Sequence, residues 1–288
     1  MKKNLIVIVV ALLITGYFTG CKKKEDLNTP LVGLGGDTWV KGPLDDWIST
    51  NYTTPYNMEI KYKWDRSELG EINKDVVPIL ESKVIPVLET IKSGWIDPYV
   101  AIKGGDFFKK YVQKQIYMVG SAQYNSNGSI TLGVAESGRK VTLMVLNDFQ
   151  KGNRSSVERI LHTMHHEFGH ILNQNIAVTS DYQRITAGSY SATWFNIAEE
   201  DANSMGFISS YAMASKDEDF VEMLSIMLVD GEDRFQALLA TLEPDAQAKL
   251  LKKKSIVISY LKSAFGIDFI ALQNKVQAEI NTMAPLKK

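Results

Sequence analysis

The chain has 288 residues, 45% of them hydrophobic and 23% charged, a composition typical of one large globular domain or two closely packed ones. The formal net charge is only −1, and a nearly neutral chain without a basic face gives no electrostatic reason to expect a nucleic-acid partner. Cys21 is the single cysteine, so an internal disulfide is excluded and packing must stabilise the fold.

The N-terminus has the pattern of a secretory signal peptide. Lys2 and Lys3 form a basic start, and residues 5–14 form an apolar stretch that suits a signal-peptide core but is short for a bilayer span. We expect residues 1–20 to be removed. Their removal takes away two lysines and no acidic residue, so the formal charge moves from −1 to −3.

This pattern ends on a candidate lipidation site. Phe18-Thr-Gly-Cys21 resembles the lipobox of bacterial lipoproteins, with phenylalanine in place of the more usual leucine. The resemblance implies that Cys21 carries a lipid and anchors the protein to a membrane. Residues 21–36 are then predicted to be a flexible tether, because so polar and glycine-rich a segment buries too little to become ordered. The alternative is an uncleaved membrane anchor with an incidental cysteine.

The region before the histidines is predicted to contain strands and one helix. Alternating apolar and polar residues predict a strand at 58–64, and a further strand is predicted at 115–119. Residues 76–91 have apolar side chains at helical spacing, and Pro78 and Pro86 within them favour a break or a kink.

Two further apolar runs, at 129–135 and 139–146, predict a hairpin directly before the helix that carries the histidines. An edge strand beside such a helix can receive an extended peptide. A hairpin that only packs the core would have the same pattern, so the sequence leaves both interpretations.

The rest of the chain is predicted to be mainly helical. The lysine run at 252–254 is interpreted as a solvated face. Helices are expected at 154–173 with Asn153 as N-cap, at 199–214, at 217–229, and from 232 to 283 with breaks at Glu243–Pro244 and Gly266.

All four histidines lie within nine residues, and two of them belong to the H-E-x-x-H motif His166-Glu-Phe-Gly-His170. Residues i and i+4 share one helical face, so His166 and His170 can bind one zinc ion. Glu167 lies between them, close enough to take a proton from water activated by the metal. A chance match is expected in under about one chain in a hundred. The alternative, a solvated face rich in His and Glu, is disfavoured by the uncharged neighbours of the motif.

The third zinc ligand is expected to be a carboxylate. Catalytic zinc takes three protein ligands and leaves one position for water. His162 lies eight residues from His170, roughly 12 Å along the helix, and His165 points about 100° away from the motif face. No other histidine or cysteine is available. The metzincin pattern is excluded, because Asn173 stands in place of its glycine and Ile176 in place of its third histidine.

Two candidate pairs of carboxylates follow the motif. Glu218 and Glu222 are four residues apart on a helix with an apolar opposite side, where unpaired charges would be costly. We assign Glu218 as the third ligand and Glu222 as the group that orients a ligating imidazole. A solvent-facing glutamate pair is one alternative. The rival ligand is Glu199 or Glu200, in an arrangement that resembles the E-x-x-x-D motif of thermolysin-like enzymes.

The lipobox, the run HHEFGHI and the later pattern Tyr211-x6-Glu218-x-Phe-x-x-Glu222 resemble the zinc-binding metallopeptidases of Bacteroidota, also called substrate import-associated zinc metallohydrolase lipoproteins. The same two helical motifs resemble the catalytic domain of anthrax lethal factor, a gluzincin. This resemblance implies that Glu218 is the final ligand and that Tyr211 stabilises the oxyanion. On residue type alone Tyr211 would be one packed tyrosine among twelve.

The resemblance also implies an α+β, zincin-like fold with a small twisted sheet, an active-site helix and a mainly helical C-terminal half. We expect a catalytic domain at 37–230 and a helical region at 231–288 packed on it. The expected cofactor is one Zn²⁺ per chain, and the expected substrate is a peptide or protein.

We expect the protein to act outside the cytoplasm, on the periplasmic face or cell surface of the outer membrane, near a nutrient importer. The alternative is an accessory lipoprotein that keeps zinc for structure and binds a peptide or glycan for the importer. Glu167 favours the enzyme, because a structural zinc site has no use for a general base. A metal scavenger is disfavoured by the small number of ligands.

Overall fold

In the computed structural model, the described residues are 39–65, 68, 76–124, 130–131, 133–136 and 139–286. The predicted signal peptide, the predicted lipidation site Cys21 and the predicted tether lie outside them. Gly42–Lys288 cluster as one compact unit. No single described helix combines the length and apolar composition of a membrane span. The pair Pro244–Phe265 and Phe269–Met283, bent by 103°, meets that test together.

A small sheet forms the β part of the fold, with its strands in the order β1 (Glu59–Lys61), β2 (Gln115–Met118), β6 (Lys140–Leu143) and β5 (Gly133–Glu136). β1, β2 and β6 are parallel, and β5 runs antiparallel to β6 at the edge. The strands predicted near 58–64 and 115–119 and the predicted hairpin are confirmed. A separate two-stranded sheet pairs β3 (Gln123–Tyr124) with β4 (Ile130–Thr131).

Short helices surround the first strands. The helix predicted at 76–91 begins only at Glu81, because Pro78 forms an isolated β-bridge with Val119. The helix then continues through Pro86 to Ile91. The helical segments here are α1 (Pro43–Ile48), a π-helical turn (Ser49–Thr53), α2 (Thr54–Tyr56), α3 (Glu81–Ile91), a second π-helical turn (Lys92–Ile96), α4 (Asp97–Lys103), α5 (Gly105–Tyr111) and a 3₁₀ turn (Leu146–Asp148).

The second half is helical, as predicted. The N-cap prediction is confirmed, since the Asn153 side chain accepts a hydrogen bond from the backbone N–H of Ser156 at 3.0 Å. The predicted breaks before Pro244 and at Gly266 are also confirmed. The segments are α6 (Arg154–Asn175), α7 (Ser180–Arg184), a 3₁₀ turn (Trp194–Asn196), α8 (Glu199–Ser204), a 3₁₀ turn (Tyr211–Ala214), α9 (Lys216–Ala240, interrupted at Gly231), α10 (Pro244–Phe265) and α11 (Phe269–Met283).

The helix predicted at 199–214 is wrong. α8 ends at Ser204, and Gly206 adopts φ +91°, a left-handed conformation that ends a helix and favours glycine. A Cβ at Gly206 would also lie 2.7 Å from side-chain atoms of Lys249. The Asn203 side chain then donates to the carbonyls of Phe207 and Ile208, so the chain turns back toward the metal-site residues that follow.

The interpretation of residues 252–254 as a solvated face is wrong for Lys253. Its ammonium is fully buried and forms an ion pair with Asp219 at 2.7 Å, while Lys254 pairs with Glu232. The lysine run gave no sign that Lys253 faces inward, because its acidic partner Asp219 lies on another helix.

One hydrophobic core joins the sheet and the helices, and α6 runs through it. α6 packs against α3 and α9 and contacts β5 and β6, and α11 packs on α6 and α9. Phe168 of the H-E-x-x-H motif lies in an aromatic cluster, edge-on to Trp95 at 5.6 Å and to Tyr99 at 4.9 Å. Phe168 therefore anchors α6 in the core, while the two histidines and Glu167 of the motif remain available for chemistry.

Candidate metal centre

Three ligand atoms from two helices converge on one point. The Nε2 atoms of His166 and His170 are 3.2 Å apart, and Oε2 of Glu218 lies 3.0 Å from the first and 3.3 Å from the second. Tetrahedral zinc with bonds of about 2.0–2.1 Å places its ligand atoms about 3.3 Å apart. Two imidazoles and one carboxylate at this spacing fit a catalytic zinc ion, whose fourth position takes water.

Close packing of α6 and α9 brings the carboxylate to the histidines. A Cβ at Gly169 would lie 3.1 Å from side-chain atoms of both Val221 and Leu224, so a larger residue would require these side chains to move. The first turn of α9 is held by its N-cap Ser215, whose side chain accepts from the N–H of Glu218 at 3.1 Å. The glycine within the motif thus helps to set the distance between Glu218 and the imidazoles.

A buried ion pair behind the site holds the start of α9. Asp219 directly follows Glu218 and is fully buried, with its carboxylate 2.7 Å from the Lys253 ammonium of α10. Tyr190 donates to the same carboxylate at 3.0 Å, and Tyr182 donates to the Asp219 backbone carbonyl at 2.9 Å. The first turn of α9 is therefore fixed to α10 and to the segment around α7.

Glu222 forms a second cluster that is built of hydrogen bonds. Its Oε1 accepts from Nδ1 of His166 at 2.7 Å and from Nε2 of His162 at 2.8 Å, and its Oε2 accepts from the Ser209 hydroxyl at 2.7 Å. These distances are well below the separation of about 3.3 Å that zinc ligands adopt. Glu222 therefore orients His166: with a proton on Nδ1, the Nε2 lone pair would be free for a metal ion held with His170 and Glu218.

Charges in the site depend strongly on one another. Burial opposes a proton on His166, but hydrogen bonds to Glu218 and Glu222 outweigh burial and raise the pKa of His166 to about 10. Burial likewise opposes charge on Glu218, yet the two ligating histidines lower its pKa to about 2. In the metal-free protein, a proton on His166 therefore supplies the positive charge that faces the two glutamates, and zinc must displace this proton when it binds.

Glu167 has the environment of a general base. Its side chain is 7% exposed, and burial raises the pKa of its carboxyl, partly offset by the charges of His166 and His170. A carboxylate with a raised pKa holds an abstracted proton better than one at its ordinary value. The residue between the two ligating histidines is thus suited to accept a proton and pass it on.

Tyr211 lies at the exposed side of the site. Its ring stacks on that of His166, with centroids 5.8 Å apart and planes 22° from parallel, and 36% of its surface is exposed. Burial and the nearby carboxylates, first among them Glu218, raise the pKa of Tyr211. The phenol therefore keeps its proton at neutral pH and remains a hydrogen-bond donor.

The remaining candidates lie elsewhere. Glu199 of α8 accepts from the N–H of Ser210 at 2.9 Å, and Glu200 is exposed, so neither lies in the two His/Glu clusters found among the described residues. His165 is fully buried, lies 3.2 Å from the Gly94 carbonyl through Nε2, and has its pKa lowered to about 3 by burial. It stays neutral and faces away from the ligands, as its angle on the helix predicts.

Sequence reasoning missed two supporting residues. His162 lies outside the group formed by His166, His170 and Glu218, but its position four residues before His166 puts it on the same face, where it contacts Glu222. Ser209 donates to Glu222 and accepts from the N–H of Ala212 at 3.1 Å, which links that carboxylate to the turn carrying Tyr211. The i, i+4 spacing was a usable signal for His162, whereas Ser209 had none.

Comparison with known proteins now assigns the family. The sequence model of the family described as "Putative zinc-binding metallo-peptidase" matches residues 37–270. The chain belongs to this metallo-peptidase family. The chain is similar to the crystal structure of "a putative zinc-binding metallo-peptidase from Bacteroides caccae ATCC 43185", with a TM-score of 0.70 and 29% sequence identity. The match covers 85% of this chain and 94% of that one. No curated protein is similar enough to count as a match.

The zinc-binding metallo-peptidase family and the similar crystal structure agree with the predicted family and fold. The α+β fold class with a small sheet and a helical C-terminal half is confirmed. The family supports a zinc metallohydrolase, and the converging His and Glu groups support zinc as its metal.

Proposed function

We propose that this metallo-peptidase is a zinc-dependent peptidase of the gluzincin type that cleaves peptide bonds outside the cytoplasm. The observation that carries the proposal is the position of Glu167, a buried carboxylate with a raised pKa between two histidines that converge with Glu218. A zinc site that only stabilises the fold is closed by four protein ligands and has no use for such a base.

Each residue then has a defined task. His166, His170 and Glu218 would hold the zinc, which when bound supplies a Lewis acid that polarises the substrate carbonyl and makes water a better nucleophile. Glu167 accepts a proton from the attacking water and later delivers it to the leaving amine. The Tyr211 hydroxyl donates a hydrogen bond to the oxygen on which negative charge develops. Glu222 keeps the His166 ring in position throughout.

The sheet edge favours a peptide as substrate. β5 is an edge strand of the described sheet, antiparallel to β6, and it contacts α6, the helix that carries the motif. An extended peptide can add to such an edge through main-chain hydrogen bonds, next to the helix that carries the histidines. A substrate without a peptide backbone gains nothing from this edge.

The proposed location and partners follow from the N-terminal pattern. With a lipid on Cys21 and the tether at 21–36, the protein would be held at the outer membrane, where an importer could take up its products. An accessory lipoprotein that binds peptide or glycan without cleaving it is the competing proposal, and it predicts binding without turnover.

The test is cleavage of a mixed peptide library by the purified zinc-loaded protein, with products identified by mass spectrometry. We expect one zinc per chain by elemental analysis and cleavage that is lost in Glu167→Gln while zinc is kept. Tyr211→Phe should lower kcat about 10²-fold with little change in zinc content. Zinc binding without cleavage of any peptide, or cleavage that persists in Glu167→Gln, would contradict the proposal.

The ligand assignment is tested by Glu218→Ala, with Glu199→Ala as the matched control. Glu218 lies with the two histidines, whereas Glu199 of α8 accepts from the backbone N–H of Ser210. We expect zinc to be lost or much weakened in the first variant and unchanged in the second. The reverse result would transfer the third ligand to Glu199.

A further inference from the structure

An aromatic strip leads away from the metal centre along the protein surface. The ring of Tyr211 stacks on His166. Trp194 packs edge-on against Tyr211, with ring centroids 4.8 Å apart. Phe195 follows, edge-on to Trp194 at 5.9 Å. Two ring contacts therefore connect the zinc-ligating imidazole to Trp194, and a third reaches Phe195.

The strip combines a fixed base with an exposed end. Trp194 is half-buried and packs against the main core, whereas Phe195 is 40% exposed and Tyr211 is 36% exposed. The N–H of Ser191 donates to the Met213 carbonyl at 2.9 Å, which ties the segment before Trp194 to the 3₁₀ turn that carries Tyr211. This hydrogen bond holds the segment before Trp194 next to Tyr211 without a substrate, which lowers the entropy lost on binding.

We propose that Trp194 and Phe195 form the specificity subsite of the metal centre, which takes an apolar side chain, aliphatic or aromatic, of a residue flanking the scissile peptide bond. This proposal rests on the peptidase function proposed above. Continuity with the site supports it, since a peptide whose carbonyl lies beside Tyr211 and His166 places a neighbouring side chain within reach of Trp194 and Phe195. Ring faces and edges offer dispersion contacts and apolar area for an apolar side chain to cover.

The decisive variant is Phe195→Ala, because this exposed side chain can be truncated with little effect on folding. Phe195→Leu keeps an apolar surface and should retain most of the preference. Leu251→Ala is the matched control: Leu251 is 45% exposed on α10 and lies outside the aromatic strip. All are compared with the parent as zinc-loaded proteins.

The first measurement is kcat/KM on peptides that differ at single positions flanking the cleaved bond. We expect the parent to prefer leucine or phenylalanine over glycine at one such position, and Phe195→Ala to reduce this preference about tenfold. Leu251→Ala should leave it unchanged. Cleavage by the parent with a preference that is equal in Phe195→Ala would overturn the subsite while leaving the peptidase proposal intact.

The second measurement does not depend on turnover. Phenylalanine hydroxamate and glycine hydroxamate carry the same zinc-binding group, so their affinity ratio for the zinc-loaded protein measures the side-chain contact alone. We expect phenylalanine hydroxamate to bind about tenfold more tightly, and Phe195→Ala to remove the difference. If no peptide is cleaved but this result is obtained, the peptidase proposal fails and the apolar subsite stands. Equal binding of both hydroxamates to the parent would overturn the subsite.

Discussion

The variant Glu222→Gln tests how the site orients its zinc ligand. Glu222 is 2% exposed and accepts from Nδ1 of His166 at 2.7 Å, from His162 at 2.8 Å and from Ser209 at 2.7 Å. Glutamine has the same length and keeps one carbonyl oxygen for the imidazoles. Its amide can donate to the Ser209 hydroxyl, which also has acceptor capacity. The substitution therefore removes the negative charge while most of the packing is retained.

The expected loss can be estimated from this geometry. Without the carboxylate, the His166 ring loses a charge-assisted hydrogen bond and its Nε2 becomes a weaker donor to the metal. Loss of such an orienting partner lowers metal affinity about 10- to 100-fold, which corresponds to about 1.4–2.8 kcal/mol. Ser209→Ala removes one of the three hydrogen bonds and leaves the charge, so its effect should be smaller than that of Glu222→Gln.

The assay is competition for zinc with a chelator of known affinity, with circular dichroism and chemical denaturation to verify that each variant is folded. Glu199→Gln serves as the control, because Glu199 accepts a backbone N–H from Ser210 and lies outside the His/Glu clusters found among the described residues. A folded Glu222→Gln protein that binds zinc within about twofold of the parent would refute the assigned role of Glu222 in orienting His166.

Three further predictions concern catalysis, stability and pH. Glu167→Gln should keep zinc and lower kcat by about 10²- to 10⁴-fold, as measured by peptide cleavage and elemental analysis. Lys253→Met leaves Asp219 buried without its ion pair and should lower the free energy of unfolding by about 3–5 kcal/mol, whereas adding Asp219→Asn should recover part of it; equal destabilisation of both proteins would contradict the ion-pair role. In the metal-free protein, the raised pKa of His166 stabilises the fold fully below pH 6.5, and this contribution is lost as the pH rises toward about 10. Glu218, with its lowered pKa, stabilises the fold above pH 4.5 and loses this effect as the pH falls toward about 2. Denaturation curves of the metal-free parent should therefore show a decline in stability above pH 6.5 that His166→Gln lacks.

The local features of this protein could be predicted from its sequence. The four-residue spacing of His166 and His170 puts both imidazoles on one face of α6, because helical geometry fixes side-chain directions over a few residues. The same reasoning applies to the cap at Asn153 and the breaks at Pro244 and Gly266, where single residues determine the backbone. The helix predicted across Gly206 was wrong, because Gly206 adopts a positive φ that ends the helix.

Only the tertiary structure decided which distant groups meet. The residues alone favoured Glu218 as the third ligand and left Glu199 or Glu200 as its rival. In the structure, the close packing of α6 and α9 at Gly169 brings Glu218 to the histidines. Glu222 contacts His166 across 56 residues, and Lys253 contacts Asp219 across 34. Such contacts depend on how helices pack and not on periodicity within one helix, because each helix pattern fixes a buried face but leaves its partner open.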